Sequence, residues 1–253
     1  MTDRWRVGAN LATLANALLG VGAILYVLAG NKLWAMLLIA SAVGFDGLDG
    51  LLSRRSRLPP SAFGRYADSV ADAVTFGLAP AFLLAVHTSY RALWAPWEPF
   101  ALAVAGAYLA AAVGRLVYFT ARGFQRPYFL GVPTPQAALA LVVALLFHDT
   151  PAFQTVQPVA VLIGATAIAV LMVVPIPYPK VRSGSVLRAP MAATGVATAV
   201  ALLTVQFRPA IGSPLFLLAL GASYSMLVGV ACYYLLGPFT VDRVPAPGPA
   251  PGG

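Results

Sequence analysis

Asp46 and Asp49 stand three residues apart and Asp68 and Asp72 four apart, so each pair shares one face of a helix. They are half of the eight acids in a chain of 253 residues, and they fall within 27 positions. Two adjoining apolar stretches carry them towards one short basic connection, SRRSRLPPSAFGR. Helices in those stretches would be antiparallel neighbours, and the two carboxylate pairs would face each other at one depth. Four carboxylates at low dielectric repel, and acids inside membrane segments are costly and usually functional. Hard divalent cations relieve the repulsion. Carboxylate oxygens suit Mg²⁺ or Mn²⁺, and Mg²⁺ is commonly shared with substrate phosphates. Four such groups have the capacity for two ions clamping a phosphoryl group. Two other readings compete: the acids pair with Arg54, Arg55, Arg57 and Arg65 of the connection, or they line a cation or proton pathway. Pathways of that kind set their acids deeper and on several helices.

The elements that hold these acids follow from composition. Hydrophobic residues make up 60% of the chain, charged residues 9%, and the mean hydropathy is +0.82. A soluble domain carries roughly 25% charged residues, so a water-facing globular enzyme is excluded, and disorder is excluded by the hydrophobicity. The apolar stretches are continuous and do not alternate with period two, against a β-barrel. About 20 apolar residues span a bilayer as a helix, which predicts an all-α polytopic membrane bundle of about eight helices. They lie near residues 9–30, 33–53, 66–88, 97–120, 133–148, 156–176, 189–206 and 213–236. The first contains a small-x-small triplet, Ala15-Asn16-Ala17, but runs long enough to read as a span and not a cleaved leader.

With the N-terminus cytoplasmic, thirteen Lys and Arg fall on inner segments and three, Lys32, Arg91 and Arg208, on outer ones. The positive-inside rule then puts both termini in the cytoplasm. The net charge of +8 belongs to the anionic leaflet of the bilayer and not to nucleic acid. Residues 1–240 read as one membrane domain, and 241–253, within the Pro/Gly-rich end, as a disordered tail. Cys232 is the one cysteine, so an internal disulfide and a multi-thiolate metal site are both excluded.

Asp46-x-x-Asp49-Gly50-x-x-Ser53-Arg54, nine residues, then Gly64-x-x-x-Asp68-x-x-x-Asp72 resembles the signature of the CDP-alcohol phosphatidyltransferases. Seven of its eight fixed positions match, and Ser53 stands where alanine is usual. GRYADSVADAVTFGLAP, YFLGVPTPQAA and LMVVPIPYPKVR resemble the bacterial phosphatidylserine synthase branch, as do Thr13, Asn16 and Gly20 in the first span and the Arg115-Leu-Val-Tyr-Phe stretch. The resemblance runs over about residues 9–185. Thr120 and Val174 depart from that branch, where Asn and Ser are common.

The resemblance implies that an alcohol, L-serine in this branch, attacks the diacylglycerol-side phosphorus of CDP-diacylglycerol and that CMP leaves. It implies that Asp46, Asp49, Asp68 and Asp72 hold two Mg²⁺ or Mn²⁺ ions and that Asp72 acts as general base. Gly50, Ser53, Arg54 and Gly64 take the cytidine and phosphate positions, and Thr13 and Asn16 contact the nucleotide from the first helix. Arg115, inside an otherwise apolar span, either receives the serine carboxylate bidentately or snorkels to the interface. His87 and His148 fall at the outer ends, away from the acids. Pro133 and Pro135, like Pro175, Pro177 and Pro179, either stop helices or open space near the site. Gly106 and Gly114 serve packing or a homodimer contact. Rival functions are the same donor with glycerol 3-phosphate or inositol phosphate as acceptor, and a cation transporter.

Overall fold

The structure is a computed structural model that describes residues 4–56, 62–89, 92–122, 128–149, 158–179, 200, 204 and 213–239. It is a helical bundle. Helices α1 (Arg4–Leu28) and α2 (Lys32–Arg55) form an antiparallel hairpin. Gly30 makes its turn at φ 75°, a conformation that costs glycine little. There the Asn31 N–H donates to Tyr26 O at 2.8 Å and the Gly30 N–H to Val27 O at 3.0 Å, which satisfies the last carbonyls of α1.

The third apolar stretch is one helical path in three parts. These are α3 (Ala62–Asp72), a π-helical segment (Ala73–Leu78) and α4 (Ala79–Ser89). After a 3₁₀ turn at Ala92–Trp97 come α5 (Glu98–Arg122), strand β1 (Tyr128–Leu130), α6 (Thr134–Asp149), α7 (Pro158–Val173), strand β2 (Pro177–Pro179) and α8 (Pro214–Leu236). Four helical stretches are long and apolar enough to cross a membrane: Arg4–Leu28, Lys32–Ser53, Phe63–His87 and Ala95–Ala121. Thr134–Leu146, Pro158–Val173 and Val228–Phe239 are shorter apolar helices. The expected seventh span, 189–206, lies outside the described residues except for positions 200 and 204, and the tail 241–253 lies outside them entirely.

The pattern of burial is that of a bundle in lipid. Alanines 35, 42, 79, 101, 105, 112, 137 and 138 are buried between helices, where small side chains let backbones approach. Leucines cover the outside of α1: Leu11, Leu14, Leu18 and Leu25 are each more than half exposed. Larger side chains fill the centre, among them Ile39, Phe76, Leu83, Tyr108, Leu141 and Leu145.

Two features depart from an all-helical reading. The proline-rich segments before α6 and after α7 pair as a short antiparallel ladder, with Tyr128 opposite Pro179, Phe129 opposite Tyr178 and Leu130 opposite Pro177. Prolines that stop the two helices leave extended backbone, and each segment supplies the other's partner. The second feature is the π segment that begins directly after Asp72. Tyr108 of α5 donates its hydroxyl proton to Phe76 O at 2.9 Å, and Thr75 donates to Asn16 O of α1 at 2.9 Å. A Cβ on Gly20 would lie 2.8 Å from the Thr75 Cα, so α1 meets the π segment backbone to backbone.

Candidate active site

α2 descends towards the same end of the bundle from which α3 departs, and this brings the acids together. Asp49 and Asp72 are buried and Asp46 and Asp68 half-buried. One carboxylate oxygen from each of Asp46, Asp68 and Asp72 lies within 4.8 Å of the others. Asp49 lies against Asp68. Among the described residues, the neighbours that act on these four carboxylates are one another, Thr13 and Asn16.

Helix α1 supplies the donors. Thr13 Oγ1 donates to Asp49 Oδ2 at 3.0 Å and lies 3.2 Å from Ala9 O of its own helix. Asn16, fully buried, donates from Nδ2 to Asp72 Oδ1 at 2.9 Å. Thr13 and Asn16 are three residues apart, so they face α2 and α3 from one side of α1. The Thr75 bond to the Asn16 carbonyl fixes the same turn of α1 against the π segment.

The two side-chain donors among the described residues, Thr13 and Asn16, do not balance four carboxylates. At 4.8 Å and an effective dielectric of about 20, each ionised pair repels by about 3–4 kcal/mol. The donor set is all oxygen, and Asp68 Oδ1 is buried with no hydrogen-bond partner among the described residues. These residues fit a hard divalent cation. Gly44 and Gly47 are exposed on α2, and a Cβ added to either would meet nothing within 4 Å, so neither marks a tight helix crossing.

The remaining expected residues divide. Gly50 is half-buried on α2 and Ser53 exposed near its end, and Gly64 is half-buried on the first turn of α3. The Arg54 side chain and all of Arg57 lie outside the described residues. Arg115 is buried on α5, with its guanidinium carbon 4.5 Å from the Phe119 ring centroid. Its Nη1 donates to Leu130 O and, at 3.1 Å, to Met172 O. This ties α5 to the β1 and α7 ends. Gly131 sits beneath that clamp at φ 70°, where a Cβ would lie 2.9 Å from Arg115 Nη1. Arg65 is exposed.

Some contacts that support the site carried no sequence signal. Ser69 Oγ and Thr120 Oγ1 are 2.6 Å apart and join the acid-bearing α3 to α5. Thr75 and Tyr108 hold the π segment. Each contact joins residues at least 32 positions apart in sequence, beyond the reach of local periodicity.

Known proteins resemble this chain in sequence. A family profile described as CDP-alcohol phosphatidyltransferase matches residues 6–174. A CDP-diacylglycerol–serine O-phosphatidyltransferase of Helicobacter pylori (strain J99) is 30% identical over 176 residues, covering 68% of this chain and 72% of its own. One of the same name from Bacillus subtilis (strain 168) is 33% identical over 173 residues, covering 68% and 89%. An archaetidylserine synthase of Methanothermobacter thermautotrophicus is 30% identical over 173 residues, covering 68% and 69%.

Proposed function

The chain belongs to the CDP-alcohol phosphatidyltransferase family, and from that premise we propose that it transfers a phosphatidyl group from CDP-diacylglycerol to L-serine, yielding phosphatidylserine and CMP. The observation that carries the reaction class is the convergence of four carboxylates from α2 and α3 with α1 donors on two of them. Serine as acceptor is supported by the relatives, whose names share it while their lipid differs. That difference also favours a second donor reading, an ether-lipid analogue, which the same assay separates.

Asp46, Asp49, Asp68 and Asp72 would hold Mg²⁺ or Mn²⁺, two ions in our reading. Bound there, the cation offsets the carboxylate repulsion and the charge that develops on the phosphoryl oxygens. The chain's own residues do the rest. Asp72 takes the proton of the serine hydroxyl as its oxygen bonds to phosphorus and the phosphorus–oxygen bond to CMP breaks. Asn16 fixes one Asp72 oxygen by hydrogen bond, which orients the other towards the acceptor. Thr13 does the same for Asp49. Gly50, Ser53, Arg54 and Gly64 take the nucleotide and its phosphates from the ends of α2 and α3. Arg115 is a candidate for the serine carboxylate through donors other than Nη1.

We infer further that residues 1–240 form one membrane domain of eight spans and that the acid end faces the cytoplasm. The weight of arginine at that end supports the orientation. A water-soluble nucleotide and a membrane-bound diacylglycerol meet naturally at such a boundary. The test is CMP release by purified protein from CDP-diacylglycerol and from its ether analogue, with Mg²⁺ or Mn²⁺, across serine, glycerol 3-phosphate and inositol phosphate. Release that depends on serine is expected. Release only with a phosphorylated acceptor would move the protein to another branch, and cation flux in liposomes without CMP chemistry would point to a transporter.

A further inference from the structure

Among the described residues, Trp5, near the start of α1, carries two cations on one ring. The guanidinium carbon of Arg4 is 5.1 Å from its centroid and that of Arg55, at the end of α2, is 5.5 Å. Both arginines are exposed. Stacking on an aromatic face uses the planes of the guanidinium groups and leaves their edges, where the N–H donors lie, available. Two like charges held at one ring repel, and an anion between or beside them relieves that repulsion.

What reaches this pair is written in the spacing. Arg4 heads a series on α1, continuing through Val7, Leu11, Leu14 and Leu18, at alternating steps of three and four. All of these are exposed. Arg55 ends a corresponding exposed series on α2 through Leu48 and Leu51. Steps of three and four keep residues on one helix face. Each arginine therefore stands at the end of an apolar stripe, and the two stripes belong to adjacent antiparallel helices. Arg55 is six residues beyond Asp49, roughly 9 Å along α2, so the pair sits outside the acid cluster and towards the helix ends.

We propose that Arg4, Trp5 and Arg55 form a binding site for the headgroup phosphate of an anionic phospholipid whose acyl chains lie along the exposed stripes of α1 and α2. The apolar stripes require a lipid and not a free anion. The charge pair favours a net-negative headgroup over a zwitterionic one. The site is separate from the carboxylates and stands whether or not the serine reading does.

Trp5 itself is the reporter. The chain has four tryptophans, so Trp34→Phe, Trp94→Phe and Trp97→Phe leave Trp5 alone. In this protein, reconstituted into phosphatidylcholine vesicles, phosphatidylglycerol with brominated chains should quench Trp5 at least about twofold more than brominated phosphatidylcholine at equal mole fraction. Arg4→Gln with Arg55→Gln should remove the preference. Arg4→Lys with Arg55→Lys, which keeps the charge but loses the planar fork, should reduce it and serves if the glutamine pair does not fold. Equal quenching by the two lipids overturns the proposal, as does a preference that survives both double variants unchanged. Loss of the preference in millimolar inorganic phosphate would make it a free-anion site. Displacement of the brominated lipid by CDP-diacylglycerol, but not by unbrominated phosphatidylglycerol at the same mole fraction, would make it part of the donor site. Either result overturns the assignment.

Discussion

The two ends of this bundle both bury polar groups, and they solve the electrostatics differently. At the acid end, four carboxylates converge with Thr13 and Asn16 as side-chain donors. At the other end, Lys32 Nζ lies 3.4 Å from His87 Nδ1, and His87 Nε2 lies 3.4 Å from His148 Nδ1. Both histidines are buried, their rings edge to face with centroids 5.4 Å apart. His87 is fifteen residues beyond Asp72, roughly 22 Å along the helix. The histidine chain mixes donors and acceptors and fastens α2, α4 and α6 to one another. Among the described residues, the acid cluster has charge of one sign and far too few donors. Contacts between unlike partners on three helices serve the fold, and a cluster of like charge is built for something that arrives later.

Substitutions should therefore separate the two ends, beginning with the acids. Asp68→Asn and Asp72→Asn should each lower CMP release at least about a hundredfold, measured at saturating metal, with little change in thermal stability. Next in size is Asn16→Ala, which removes a buried hydrogen bond to a carboxylate worth about 1.5–3 kcal/mol. It should lower turnover about tenfold to a hundredfold with the KM for serine nearly unchanged. A third substitution probes the frame between the ends. Gly131→Ala forces an alanine into a left-handed conformation against Arg115 and Met172 and should cost about 1–3 kcal/mol, read as a lowered Tm. At the histidine end, His148→Phe should also lower Tm, by about 1–3 kcal/mol of stability, while kcat and KM stay within about twofold of wild type. A hundredfold loss of CMP release in that variant would erase the distinction between the ends. Smallest of all, Leu18→Ala on the exposed face of α1 should change stability by no more than about 0.5 kcal/mol.

What could be read in the sequence follows from the range of each signal. Asp46, Asp49, Asp68 and Asp72 stand out because they are rare acids in apolar helices, and spacings of three and four are local properties of a helix. Long apolar runs likewise marked the four long spans. The hydrogen bonds that aim the acids were not visible in this way. Asn16 and Asp72 are 56 positions apart, and Thr13 and Asn16 entered through a family resemblance as nucleotide contacts, not as partners of carboxylates. The π segment is set by tertiary contacts from Asn16 and Tyr108, which periodicity does not register. The β1–β2 ladder escaped notice because proline-rich stretches read as helix stops, and their pairing joins segments some fifty residues apart. His87 and His148 were legible as lying far from the acids, but their contact with each other was not.

The central claim is that the acid end holds divalent metal and the histidine end does not. Mn²⁺ binding to the purified protein, followed by electron paramagnetic resonance, tests this without requiring turnover. The account predicts tight Mn²⁺ binding in wild type, its loss in Asp68→Asn, and its retention in a His87→Phe, His148→Phe variant. Binding that survives Asp68→Asn and disappears with the histidines would contradict it.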